Sequence, residues 1–332
     1  MKHFTTASRL ARILGFAAFG LCGIDAASSS VLAQDFPNRP VKIIVPAAAG
    51  GALDAISRLI AQKAQDTWKQ TVYVENKPGA NWIIGMDAVA KSAPDGYTLL
   101  FIASSGLTVN PYVFPNMPLD PLRDLTPVVT ATRTAFVLLA HPSVPAKTLP
   151  EFIAHLKANP GKLNHASNSS TTMLISELFK QQAKVDYVDV NYRGASNALV
   201  ATIGGTTQFC FVDLGSGTGP IEGKTLRPLG LTARERYKLR PDIPTIAEQG
   251  LPGFAAYSTT LLLAPAKTPP ELVQQMSRAF AEALKAPDVS AKLAGMGQIV
   301  EPTGPQETAK ELLPEAEQWK KLIKERNIKF GS

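Results

Sequence analysis

The stretch "VPAAAGGALDAISRLIA", residues 45–61, closes an apolar run, sets Gly50 beside Gly51, and opens an amphipathic pattern. Ile56, Leu59 and Ile60 fall on one face of a helix with 3.6 residues per turn. Upstream, "RPVKIIVPA" (39–47) is a β-branched run bounded by prolines, which reads as a strand. A strand entering a helix through two glycines makes a tight corner. The same corner can offer bare backbone N–H groups to an anion, with Asp54 in the first helical turn. The corner alone leaves both readings open.

Working outward, the pattern repeats. "QTVYVENKPGAN" gives a second strand, 71–75, entering a Pro-Gly turn. "IIGMDAVAKSAPDGYTLLFIASS" gives a short helix, a turn at "PDG" and a strand over 97–103. This β-α-β-α-β order with short connections points to an α/β fold with a parallel sheet. A proline-rich stretch, 110–127, comes next. "TLPEFIAHLKANPGKL" is a helix with a start signal at Thr148 and a Pro-Gly stop. The second half alternates in the same way through "LNHASNSSTTMLISELFKQQA", "VDYVDVNYRGASNALVATIGG", "TQFCFVDL" and "LRPLGLTA". Apolar runs at 135–140 and 258–264 read as crossings between two α/β units. The expected division is a first lobe of 34–136 with 258–332 and a second lobe of 137–257, the C-terminal helices belonging to the first.

Residues 1–33 stand apart. Lys2, Arg9 and Arg12 precede the apolar "ILGFAAFGLCGI", which is short for a membrane span. "SSSVLAQ" then places Val31 and Ala33 as small residues before a cleavage point, so a secretory signal is expected. A membrane anchor and a lipoprotein at Cys22 are the alternatives. Removing 1–33 changes the net charge of the 332-residue chain from +7 to +5, with 31 basic residues against 26 acidic. That excess suits small anions only weakly, and no basic run interleaved with aromatics suggests nucleic acid. Cys210, in the apolar "FCFVDL", reads as a core residue.

Catalytic patterns fail one by one. "TGPIEGKT" (218–225) resembles a phosphate loop, but Gly219 lies one residue too close to Gly223. "GSGTG" (215–219) has Pro220 where the dinucleotide fingerprint wants glycine. "GASNA" misses the last glycine of a nucleophile elbow. His141, His155 and His165 show no metal-ligand spacing, although His165 precedes a polar turn and is a candidate to approach a ligand there. What survives is a set of strand-to-helix turns rich in Gly, Ser, Thr and Asn: "PAAAGGALD", "NKPGANWIIG", "SSG", "SNSSTT", "YRGAS" and "VDLGSG". In parallel sheets such turns gather at the carboxyl ends of the strands, where ligands bind. Each helix start there offers unpaired N–H groups and about half a positive charge. Turns of this kind also occur as plain geometry; six of them behind a signal favour a cleft-type binder.

Beyond the turns, "FPNRPVKIIVPAAAGGALDAISRLIA", "VENKPGANWIIG", "AKSAPDGYTLLF", "NPGKLNHAS", "NYRGASNAL", "GKTLRPLGLTARER" and "PDIPTIAEQGLPGF" occur in order. Together they resemble the tripartite tricarboxylate transporter solute receptors, the Bug family, over essentially the whole mature chain. The resemblance implies a periplasmic binding protein of the type II fold, with two α/β lobes and two crossing hinge segments. It implies a receptor that captures a small organic acid and delivers it to the family's membrane permease, without catalysis; a monomer with no cofactor or metal is expected. The "SSG" turn offers Ser104 and Ser105, and by the resemblance one end of the ligand meets Ala47, Ala48, Ala49, Gly50, Gly51, Asp54, Gly79, Ala80, Asn81 and Trp82. The other meets Ser167, Asn168, Ser169, Ser170, Thr171, Arg193, Gly194 and Asp213. This chain departs from the pattern at Ala47, where an aromatic is usual, and at Asn81 and Trp82, where glycines are usual. The exchange implies a bulkier or flatter acid, unless Trp82 packs beneath its loop. A sensor for a signalling receptor and a periplasmic enzyme on the same scaffold are the rival readings.

Overall fold

Strand β1 (Val41–Val45) is buried at four of its five positions and runs parallel to two neighbours. Val41 lies opposite Val72 of β2 (Val72–Asn76), and Lys42 opposite Thr98 of β3 (Thr98–Ala103). The computed structural model describes residues 36–114, 116–192 and 194–328. The expected signal segment and Arg193 lie outside the described residues. Residues from Arg39 onward form one compact unit.

The parallel strands are joined by α1 (Ala52–Trp68) and α2 (Ile83–Ala90). Helix α1 buries Ile56, Ile60 and Ala64, spaced one turn apart, against the sheet. Each of the two isoleucines contributes about 1.5–3 kcal/mol by leaving water. Three short helices follow: α3 (Ser105–Thr108), α4 (Asn110–Val113) and α5 (Pro121–Asp124). Then comes β4 (Leu125–Ala140), a single strand of 16 residues.

The second half contains α6 (Leu149–Ala158), β5 (Asn164–Ser167), α7 (Ser170–Ala183), β6 (Val188–Asn191) and α8 (Ala195–Ile203). It continues through β7 (Phe209–Asp213), α9 (Leu214–Glu222) and β8 (Arg227–Leu231). The chain returns along β9 (Tyr257–Pro265) and ends in α10 (Pro270–Lys285), α11 (Pro287–Gly295) and α12 (Pro305–Arg326). Helix α6 starts where its sequence said it would, with a reciprocal capping box between Thr148 and Glu151.

Among the described residues the strands form one nine-stranded sheet in the order β2-β1-β3-β9-β4-β7-β5-β6, with β8 also on β4. Both outer portions are parallel, but β9 is antiparallel to β3 and to β4, and β4 is antiparallel to β7 and β8. The sheet is therefore mixed, not uniformly parallel, because the chain crosses between its halves twice, in opposite senses, side by side.

Strand β4 starts ten residues before the expected crossing, inside the proline-rich stretch. Pro127 enters the strand because the β4–β9 register shifts between Pro127 and Val129, which removes the need for its missing N–H. Helix α12 also differs from expectation. Its first half packs with the first portion of the sheet and its second half with the second portion. The residues that resembled a phosphate loop lie largely within α9, whose N-cap is Asp213.

Candidate functional site

The loop 46–51 leaves β1 at its carboxyl end, and the turn 77–82 leaves β2, the adjacent parallel strand. Gly51 is the N-cap of α1, and no side chain caps it. Ala48, Ala49, Gly50 and Gly51 are exposed, and Gly50 has φ +85° with open space where a Cβ would stand. Gly50 thus adds no side chain of its own over this loop.

Asp54 is turned inward. Its Oδ2 accepts the Gly50 amide at 2.9 Å, and Arg58 Nε donates to both oxygens at 3.0 Å. Asn76 Nδ2 donates to Asp54 Oδ1 at 3.0 Å and to the Ala47 carbonyl at 3.1 Å. Asp54 is 5% exposed, so these partners use its oxygens to hold the loop. Asn76 and Arg58 were missed by the sequence reading; an Asn ending a strand just before a Pro-Gly turn was the available signal.

Arg58 is the main influence that pulls the Asp54 carboxyl down to about 2; burial opposes it, and Gly50 and Asn76 assist. A carboxyl depressed below its ordinary 3.8 holds the loop fully above that value and releases it as pH falls through about 2. An NMR titration of the Gly50 amide should therefore inflect near pH 2 in the wild type and lose that inflection in Asp54→Asn. An inflection near 4 in the wild type would show that the clamp is not formed.

The second turn is unusual. Gly79 has φ +135°, followed by Ala80 at +45°, Asn81 at +51° and Trp82 at +76°. Three consecutive side-chain-bearing residues in the left-handed region cost about 1–2 kcal/mol each, so the surroundings must enforce the shape. Asn110 Nδ2 donates to the Asn81 carbonyl at 2.8 Å. The half-buried Trp82 ring packs on the cluster of Ile44, Met86, Ile102 and Leu107. Its Cε3 would lie 3.4 Å from a Cβ at Gly106.

Ser104 ends this portion of the site, 2% exposed. Its amide donates to the Thr259 carbonyl at 2.7 Å, and its hydroxyl to Glu315 Oε1 at 2.9 Å. Ser105 is half-buried at the start of α3.

On the second portion of the sheet, Ser167 is buried at the end of β5. Asn168 donates its Nδ2 to the Phe211 carbonyl at 3.0 Å, which ties the turn to β7. Ser169 caps α7 through the Thr172 amide at 3.2 Å, with the Thr172 hydroxyl answering at the Ser169 amide. Ser169 and Ser170 are exposed, and Thr171 is half-buried. Gly194, φ +85° with nothing within 4 Å of an added Cβ, opens α8 without a side-chain cap. Asp213 Oδ1 accepts the Ser216 amide at 2.9 Å at the start of α9.

His165 does not join these turns. It is fully buried between Asp189 and β7, so the ligand role offered for it is corrected: its ring is core. Cys210 is core as well, and burial pushes its thiol up to about 12. A cavity of about 770 Å³ opens beside the strand crossing, bordered by Arg133, Tyr257, Gln298, Glu315 and Trp319. No helix of the described residues is long and apolar enough to cross a membrane.

Two α/β portions with glycine-rich strand-end turns on each define a class of solute-binding proteins. The tripartite tricarboxylate transporter family receptor model matches residues 56–328. The UPF0065 protein in the tcbD-tcbE intergenic region of Pseudomonas sp. (strain P51) is 36% identical over 293 residues, 87% of each chain. A structure described as that of a periplasmic transporter is 35% identical with a TM-score of 0.71, covering 89% of this chain and 99% of its own. The R. palustris protein Rpa4515, solved with adipate, is 29% identical with a TM-score of 0.72, covering 87% and 98%. The chain belongs to the tripartite tricarboxylate transporter receptor family.

Proposed function

We propose that this receptor captures a small organic carboxylate between the two portions of its sheet and hands it to a tripartite-type membrane permease, without chemistry. The observation that carries the reading is the pair of adjacent turns, 47–51 and 79–82. Both stand at the carboxyl ends of neighbouring parallel strands, one with a glycine pair that starts a helix without a side-chain cap, the other with its backbone in the left-handed region. Three or four charge-assisted hydrogen bonds of about 1.5–3 kcal/mol each supply micromolar binding, about 8 kcal/mol, after ordering costs. The adipate bound by Rpa4515 supports a carboxylate of that general size.

In this reading the lobes are 34–136 with 258–332 and 137–257, the second half of α12 reaching across to the second lobe, and the first 33 residues direct the chain to the periplasm. The mature receptor acts as a monomer. The exposed turn residues Ser169, Ser170 and Gly194 close on the ligand's far end, together with Arg193. Ala47, where the family pattern has an aromatic, leaves room for a wider acid, while the Trp82 ring packs beneath its own loop.

Thermal unfolding with adipate, benzoate and the uncharged adipamide tests this. A ligand at 100 times its dissociation constant adds about 2.7 kcal/mol. Stabilisation by one or more of the acids and not by adipamide is expected. Stabilisation by adipamide alone, or by none of the three, removes the carboxylate reading.

A further inference from the structure

Helix α12 (Pro305–Arg326) packs against both portions of the sheet. On its first half, Leu312 lies in the cluster of Ile44, Leu100 and Leu261. Thr308 Oγ1 meets Thr130 Oγ1 at 3.0 Å, and Glu311 pairs with Arg133 at 2.5 Å. On its second half, Trp319, Leu322 and Ile323 lie in the cluster of Leu174, Leu178 and Phe179 from α7. Glu325 accepts from Gln181 Nε2 at 2.7 Å, and Arg326 pairs with Glu177 at 2.7 Å. Between the halves stands Pro314, exposed and inside the helix. It has no amide to donate to the carbonyl four residues back, at Lys310, and its ring crowds that carbonyl.

Two further observations fall at the same point. Glu315 Oε1 accepts from Ser104 Oγ at 2.9 Å, Thr108 Oγ1 at 3.0 Å and Trp319 Nε1 at 3.3 Å, so the residue after the proline is tied to the end of β3. The 770 Å³ cavity borders Pro314, Glu315 and Trp319 on one side and Arg133 and Tyr257 of the crossing strands on the other. Close-packed interiors resist displacement, and an open space beside the helix removes that resistance. The crossing strands are themselves held there by hydroxyls: Thr132 Oγ1 and Thr260 Oγ1 lie 2.9 Å apart, and Thr132 and Thr134 both donate to Gln298 Oε1, at 2.8 and 2.9 Å.

We infer that α12 is a third connection between the two portions of the sheet, beside β4 and β9, and that Pro314 is its joint, bending when the portions close. The inference takes the closing motion from the function proposed above, and its test uses no ligand. Spin labels go on Gln62→Cys in α1 and Lys157→Cys in α6 of the full chain carrying Cys22→Ser; Cys210 is buried and stays unlabelled. Double electron–electron resonance then reads the distance distribution between the portions. Pro314→Ala restores a helix hydrogen bond, so the fold is retained. The distribution is expected to narrow to less than half its wild-type width. Pro270→Ala, at the first turn of α10, is expected to leave it unchanged. Equal widths in wild type and Pro314→Ala overturn the joint, and so does equal narrowing by Pro270→Ala. A failed carboxylate screen leaves this measurement intact.

Discussion

Alanine at position 165 is expected to lower the unfolding free energy by about 3–5 kcal/mol, through a cavity and two orphaned partners at once. The His165 ring is fully buried, with centroids 5.1 Å from Phe209 and 5.5 Å from Phe211. Its Nε2 accepts the Phe211 amide at 3.2 Å, so the proton of the neutral ring sits on Nδ1 and is donated to Asp189 Oδ1 at 3.0 Å. Asp189 Oδ2 accepts from Ser176 at 2.7 Å. Burial alone would raise the Asp189 carboxyl, yet its donors, His165 first, hold it below the ordinary range. The depressed group stabilises the fold above its unfolded value and loses that contribution as pH falls through the folded one. Without His165 the folded value rises toward the unfolded one, so the acid limb of the stability curve moves to higher pH. Urea denaturation at pH 7 and pH 4 measures both effects. A loss below 1 kcal/mol at pH 7 would mean that the ring is not the bridge described.

His165 shows what sequence withholds. It sits two residues before the turn "SNSSTT", and nothing in the string says on which side of the sheet its ring lies. The β1 run, the α1 face and the Thr148 cap were legible because strand alternation, helical period and capping are local. Asp54 looked like a ligand contact because its partner Asn76 stands 22 residues away. Ser104 and Glu315 are 211 residues apart, so the tie between a cleft turn and the last helix has no local trace. Helix α12 has a clear apolar period, but a period says that a face is buried and not which core receives it. The proline-rich stretch hid the start of β4 for a related reason. A proline argues against a strand unless the partner's register shifts, and the partner here, β9, comes 130 residues later.

Valine at position 85 should destabilise the fold by about 3 kcal/mol and abolish stabilisation by the carboxylate probes. Gly85 is buried in the first turn of α2, pressed on the end of β1. A Cβ there would lie 2.6 Å from Pro46 Cβ, 3.1 Å from Pro46 Cα and 3.2 Å from the Lys77 carbonyl. Two of those atoms are backbone, so no rotamer change relieves the clash. One of them precedes the turn 47–51 and the other precedes 79–82, so a single side chain displaces both proposed carboxylate-binding turns. Gly194→Ala supplies the contrast. Its Cβ would enter open space, and only the backbone, at φ +85° and ψ 160°, opposes it, at about 1–3 kcal/mol. Paired denaturation curves should therefore rank Gly85→Val well below Gly194→Ala in stability. In thermal shifts with the acids, Gly85→Val should lose the response entirely, whereas Gly194→Ala should weaken it at one end of the ligand only. If Gly85→Val bound as the wild type does, the two turns would not act together on one anion.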